Sequence, residues 1–108
     1  MTIGAWTWLV AAGLVEIAWS QSIKPTHGFT RPVPTLVCVV LGATSVYLLT
    51  RAMADLPVGT AYAVFTGIGA LGAITLGVLL SGDPVTPIRA LGLALLVGGL
   101  VVVRLGEA

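Results

Sequence analysis

Of the four acidic residues in this 108-residue chain, only Glu16 lies deep inside an apolar run. A carboxyl in such surroundings supports two kinds of chemistry. It can hold a proton and stay neutral, or it can face a wet cavity and pair with a cation from outside the chain. If proton and cation compete for one carboxyl, and that carboxyl is reached from alternate sides, protons moving one way drive cations the other. The plainer reading is a neutral carboxyl that hydrogen-bonds between helices. The cost of an ionisable group at a span centre, roughly 2.5–3.5 kcal/mol, weighs toward function.

The neighbours of Glu16 suit a site. On a helix, Gly13 and Trp19 lie three residues away and Ser20 four, all on its face. Trp19 offers a ring face to a cation and an indole N–H to a carboxylate. The alternative for a tryptophan is an interfacial belt, which suits Trp6 and Trp8 better. Further along, Cys38, Gly42 and Ser45 follow helical spacing, as do Tyr62, Thr66, Gly69, Ala73 and Gly77. Ser45 is placed to hydrogen-bond a carboxylate, or to bond back into its own helix. Tyr62 is expected to reach Glu16 or a bound cation. Gly67-Ile68-Gly69 marks a flexible point, because helices kink at glycines. Ala90, Ala94 and Gly98 form a small-residue seam that offers a dimerisation surface.

The elements that carry these residues are dictated by composition. The chain is 57% hydrophobic and 8% charged, too few charges to solvate a globule of this size. Disorder is excluded for the same reason. A net charge of +1 gives no footprint for nucleic acid. Cys38 is the only cysteine and His27 the only histidine, so no metal spacing, nucleophile–base pair or phosphate loop is present. No enzyme, cofactor or metal is expected. A membrane helix needs about 20 mostly apolar residues. Four such spans fit, at about 4–23, 33–54, 58–80 and 87–105, the apolar part of the second closing at Thr50. Lys24-Pro25-Thr26-His27-Gly28, Leu56-Pro57 and Ser81-Gly82-Asp83-Pro84 break them. The first run lacks the basic start of a signal peptide and reads as a retained span. The fold class is therefore all-α, one four-helix transmembrane domain over 1–108.

Two further expectations follow. Lys24, Arg31 and Arg89 fall on one side of such a bundle, Arg51 and Arg104 on the other. That near balance fixes no orientation by the Lys/Arg rule, and insertion both ways round would allow antiparallel dimers. Four helices also have difficulty enclosing both a mid-membrane cavity and its access paths. A homodimer would supply eight helices and two copies of Glu16, whose carboxyls would titrate as a unit.

Several separated motifs with kept spacing resemble the small multidrug resistance family from end to end. They are Glu16, Thr26-His27-Gly28-Phe29-Thr30-Arg31, Leu56-Pro57-Val58-Gly59-Thr60-Ala61-Tyr62-Ala63 and Thr66-Gly67-Ile68-Gly69-Ala70, with Gly82-Asp83 where the family usually has Gly-Glu. Trp19, Lys24 and the Leu-Pro-Val-Gly-Thr run look like its guanidinium exporters rather than its broad multidrug pumps. The resemblance implies an antiparallel dimer in the bacterial plasma membrane that exchanges protons for guanidinium-type cations. It implies that Glu16 binds both, that Trp19, Ser45 and Tyr62 brace the carboxylates, that Gly13 lines the site, and that the fourth span drives dimerisation. Phe65 stands where the family usually has tryptophan, keeping an aromatic wall without an indole donor. Ser20-Gln21-Ser22 is more polar than usual, and Gln21 needs a partner, for example across a dimer. These departures point to altered selectivity or to a non-identical partner subunit. The competing readings are a multidrug exporter of larger aromatic cations and a non-transporting subunit of a heterodimeric pump.

Overall fold

A computed structural model describes residues 3–106. Four helices follow one another: α1 (Ile3–Ile23), α2 (Pro32–Ala52), α3 (Val58–Ser81) and α4 (Pro87–Gly106), with a single tight turn at Lys24–Thr26. Their ends are set by local chemistry. Arg31 is extended, as a residue before proline must be, and Pro32 opens α2 where a missing amide donor costs nothing. Pro57 is instead the extended N-cap of α3, its carbonyl accepting the Ala61 amide at 3.0 Å. Thr86 caps α4, its hydroxyl accepting the Arg89 amide at 3.1 Å and its carbonyl the Ala90 amide at 2.9 Å. At the end of α3, Gly82 takes a left-handed φ of 69°, and the Asp83 amide returns to the Gly77 carbonyl at 3.2 Å.

The α1–α2 connection is wound around Thr26. This buried side chain donates to the Ile23 carbonyl at 2.7 Å and accepts the Phe29 amide at 3.2 Å. The Thr26 carbonyl takes the amides of Thr30 and Arg31. A turn this tight passes through positive φ at His27, Gly28 and Phe29.

Three of the helices, α2, α3 and α4, are long and apolar enough to cross a membrane. At 1.5 Å per residue α1 has the length, about 31 Å. Glu16 and the run Ser20-Gln21-Ser22 interrupt its apolar sequence, and α1, the first span expected from the sequence, is not among those three.

α1 packs against α2 and α3, whereas the α4 backbone approaches only α3. The buried core lies where α1 starts, α2 ends and α3 starts. It comprises Leu9 and Ala12, Leu49 and Ala52, and Leu56, Val64 and Phe65, among others. Beyond it the molecule is a slab only 17 Å thick. No described residue of α4 is buried; Ile88, Leu91, Leu95, Val102 and Leu105 all stand exposed. In water such a surface would drive association; in hydrocarbon it is solvated by lipid tails.

The end of the molecule near the core is trimmed with paired aromatic and basic side chains. The Arg51 guanidinium lies 4.7 Å from the Trp8 ring centre and donates to the Tyr47 hydroxyl at 2.9 Å. Arg104 lies 4.7 Å from the Trp6 ring centre, tying the end of α4 to the start of α1. Arg104 thus stacks on a specific ring.

Candidate functional site

Glu16 is half-buried on the face of α1 that meets α3. Its Oε1 is fully buried and has no hydrogen-bond partner among the described residues. The carboxyl lies against the α3 backbone at Gly69, where a Cβ would overlap it. On its open side is a pocket of about 430 Å³, lined by Glu16 and Trp19 from α1, Gly42, Ser45, Val46 and Leu49 from α2, and Tyr62 and Phe65 from α3. That volume falls within the range of small-molecule sites.

The polar groups on this wall are fixed to different degrees. Ser45 is buried and donates its proton to the Ala12 carbonyl of α1 at 2.9 Å. It bonds neither to its own helix nor to Glu16, so its remaining capacity is as an acceptor. The Trp19 indole lies against Gly42, with Nε1 only 2.9 Å from where a Cβ at that glycine would be. Tyr62 is half-exposed at the rim, and its ring meets Phe65 at 6.2 Å between centres, tilted by 39°. Phe65 is almost wholly buried and forms the aromatic floor. A carboxylate, a hydroxyl acceptor, a phenol and an indole ring, set between apolar walls, suit a flat cation with several N–H donors.

Five of the six residues expected at the site thus converge: Glu16, Trp19, Ser45, Tyr62 and Phe65. Gly13 does not line the pocket. Its missing side chain makes room for Ile68 of α3, whose Cγ2 sits 2.6 Å from where a Cβ would be. It serves the α1–α3 seam one turn from the carboxyl. α3 runs unbroken through Gly67 and Gly69, and neither glycine has a left-handed backbone. Thr66 bonds back to the Tyr62 carbonyl at 2.9 Å and faces a groove toward α4. Gln21 finds its partner on its own helix, donating to the Ser20 hydroxyl at 3.3 Å. Ala90, Ala94 and Gly98 are exposed on α4. Gly42, Val46 and Leu49 line the pocket without having been assigned to it. Their signal was present, since they continue the helical stripe that carries Ser45. Among the described residues no cluster of His, Cys, Asp and Glu is arranged to hold a metal.

The sequence profile described as Small Multidrug Resistance protein matches residues 4–96 of this chain. Curated relatives extend the likeness to nearly the full length. A protein of Citrobacter freundii named guanidinium exporter is 46% identical over 101 residues, covering 94% of this chain and 96% of its own. One of Salmonella typhi with the same name matches to the same extent. A third, from Yersinia pseudotuberculosis, is 46% identical over 103 residues, covering 95% of this chain and 99% of its own.

Proposed function

The chain belongs to the small multidrug resistance family, and from that premise we propose that it exports guanidinium-type cations in exchange for protons. The observation that carries this reading is the meeting of Glu16, Trp19, Ser45 and Tyr62 around one pocket, with a buried carboxyl oxygen that no described group satisfies. The full-length relatives named guanidinium exporter support the choice of substrate. In this scheme Glu16 alternates between a proton and the cation. Trp19 stacks on the cation, Tyr62 and the Ser45 oxygen take its N–H groups, and Phe65 keeps the floor dry.

The working unit in this reading is an antiparallel homodimer in the bacterial plasma membrane, inserted in both orientations, with α1 crossing the membrane beside the other three helices. The exposed seam of Ala90, Ala94 and Gly98 supplies the contact between copies, since small residues let membrane helices approach closely. A bend of α3 at Gly67 and Gly69 would supply the second shape that alternating access requires.

A second reading has an observation of its own. The pocket is much larger than a bare guanidinium ion, and Val46, Leu49 and Phe65 give it apolar walls. Those walls favour a bulkier aromatic cation. Reconstitution of the purified protein alone in proteoliposomes separates the readings. Substrate-dependent, proton-coupled currents are expected with guanidinium. Currents with tetraphenylphosphonium only would select the second reading, and none with either cation would reject transport by this chain on its own.

A further inference from the structure

Two glycines of α3, two residues apart, serve opposite sides of the helix. A Cβ at Gly67 would stand 2.6 Å from the Leu100 Cδ2 of α4. A Cβ at Gly69 would overlap the Glu16 carboxyl oxygen and lie 3.1 Å from its Cγ. Two residues turn a helix by about 200°, so one glycine faces α4 and the other faces the carboxyl. Backbone conformation does not demand glycine at either position, because α3 is continuous and right-handed there. Glycine also weakens a helix interior relative to alanine. In this straight conformation of α3, what position 69 gains from glycine is therefore volume.

We infer that Gly69 is a positioning residue for Glu16: the space its side chain would fill is the seat of the carboxyl. This deepens the reading above, and rests on it, by naming what sets the depth at which that carboxyl meets the pocket. The carboxyl is confined between α1, which carries it, and the bare backbone of α3. Its Oε1 makes no hydrogen bond there among the described residues, so shape rather than bonding defines the seat. A methyl group at position 69 would push the carboxyl toward Tyr62 and Phe65 and shrink the pocket from within. Gly67 is the internal contrast, since its space belongs to Leu100 and has no part in the site.

The test compares full-length variants in detergent micelles by thermal unfolding. G69A is expected to lower the melting temperature by several degrees in the wild-type background. In the E16A background the same change should leave it unaltered or raise it, because the seat is then empty. G67A should lower it equally in both. An equal loss from G69A in both backgrounds would overturn the inference, and this comparison stands even if G69A alone fails to fold. A second arm measures guanidinium binding across pH. G69A should weaken binding about tenfold and move the midpoint of its pH dependence by half a unit or more. Shortening the acid should relieve the clash, so E16D/G69A should bind at least fivefold better than the product of the two single losses. Losses that simply multiply, with an unmoved midpoint, would count against a seat. A wild-type protein that binds no guanidinium would sink the proposed substrate while the unfolding comparison still decides the role of Gly69.

Discussion

Three tryptophans lie on α1, and the chain treats them differently. Trp6 and Trp8, at its start, each carry an arginine guanidinium, Arg104 and Arg51, at 4.7 Å from the ring centre. Trp19, near its other end, shares a pocket with a carboxyl instead. The first two show how a flat cation sits on an indole ring in this molecule, with Tyr47 adding a hydrogen bond to one of them. Around Trp19 the same elements recur: a ring, a tyrosine hydroxyl and, in addition, an acid. The difference lies in who supplies the guanidinium. At the start of α1 the chain does; at Trp19, in the proposed function, the substrate does.

The largest effect is expected at the acid. Glu16→Gln keeps the shape of the side chain but removes both its charge and its titratable proton. Proton-coupled guanidinium transport in proteoliposomes should be abolished. Coupled transport surviving in that variant would make the pocket by Trp19 no more than a structural cavity.

Next comes pH. A protonated carboxyl offers a cation no charge, so proton and guanidinium compete for Glu16. Apparent guanidinium affinity should then fall as pH drops through the titration of Glu16, approaching about tenfold per pH unit, and level off on the alkaline side. Calorimetric titrations across pH check the slope. An affinity indifferent to pH would separate the proton from the cation site.

How much of this was legible in the sequence depends on how local each signal is. Helix breaks were readable because proline and glycine act on their own backbone: Pro32, Pro57, Gly82 and Pro87 fall at or beside helix ends. The expected runs of 58–80 and 87–105 lie within a residue of α3 and α4 at each end. The convergence of Glu16, Trp19, Ser45, Tyr62 and Phe65 was readable from helical spacing together with the family motifs. Contacts across helices were not. Ser45 chose the Ala12 carbonyl over its own helix, which depends on the rotation of α2 against α1. Gly13 faces Ile68 rather than the pocket, and Gly69 faces the carboxyl, because a glycine carries no side chain whose chemistry reveals its neighbour.

A smaller effect is expected at Trp19 itself. If it stacks on the substrate cation, Trp19→Ala should weaken guanidinium binding by about 3- to 30-fold, the range corresponding to a partly desolvated cation–π contact. Trp19→Phe should retain most of the affinity, since the ring face remains and only the indole N–H is lost. Equal losses from both variants would assign the indole N–H the larger role and weaken the analogy with Trp6 and Trp8.

The smallest effects belong to the arginines, and they test the other half of the comparison. Arg51 and Arg104 are exposed, so each stacked pair should contribute only about 0.5–1 kcal/mol to stability. Double-mutant cycles in reversible unfolding, Trp8→Ala with Arg51→Ala and Trp6→Ala with Arg104→Ala, should give coupling energies of that size. The Arg51 single variant should lose somewhat more, because the Tyr47 hydroxyl also loses its donor. Guanidinium affinity should change less than twofold in either arginine variant, since neither side chain lines the pocket. A tenfold loss of affinity on removing Arg51 or Arg104 would mean that the stacked arginines act on the cation site. The two ends of α1 would then no longer be separate parts, one holding the chain's own guanidinium groups and the other receiving one from outside.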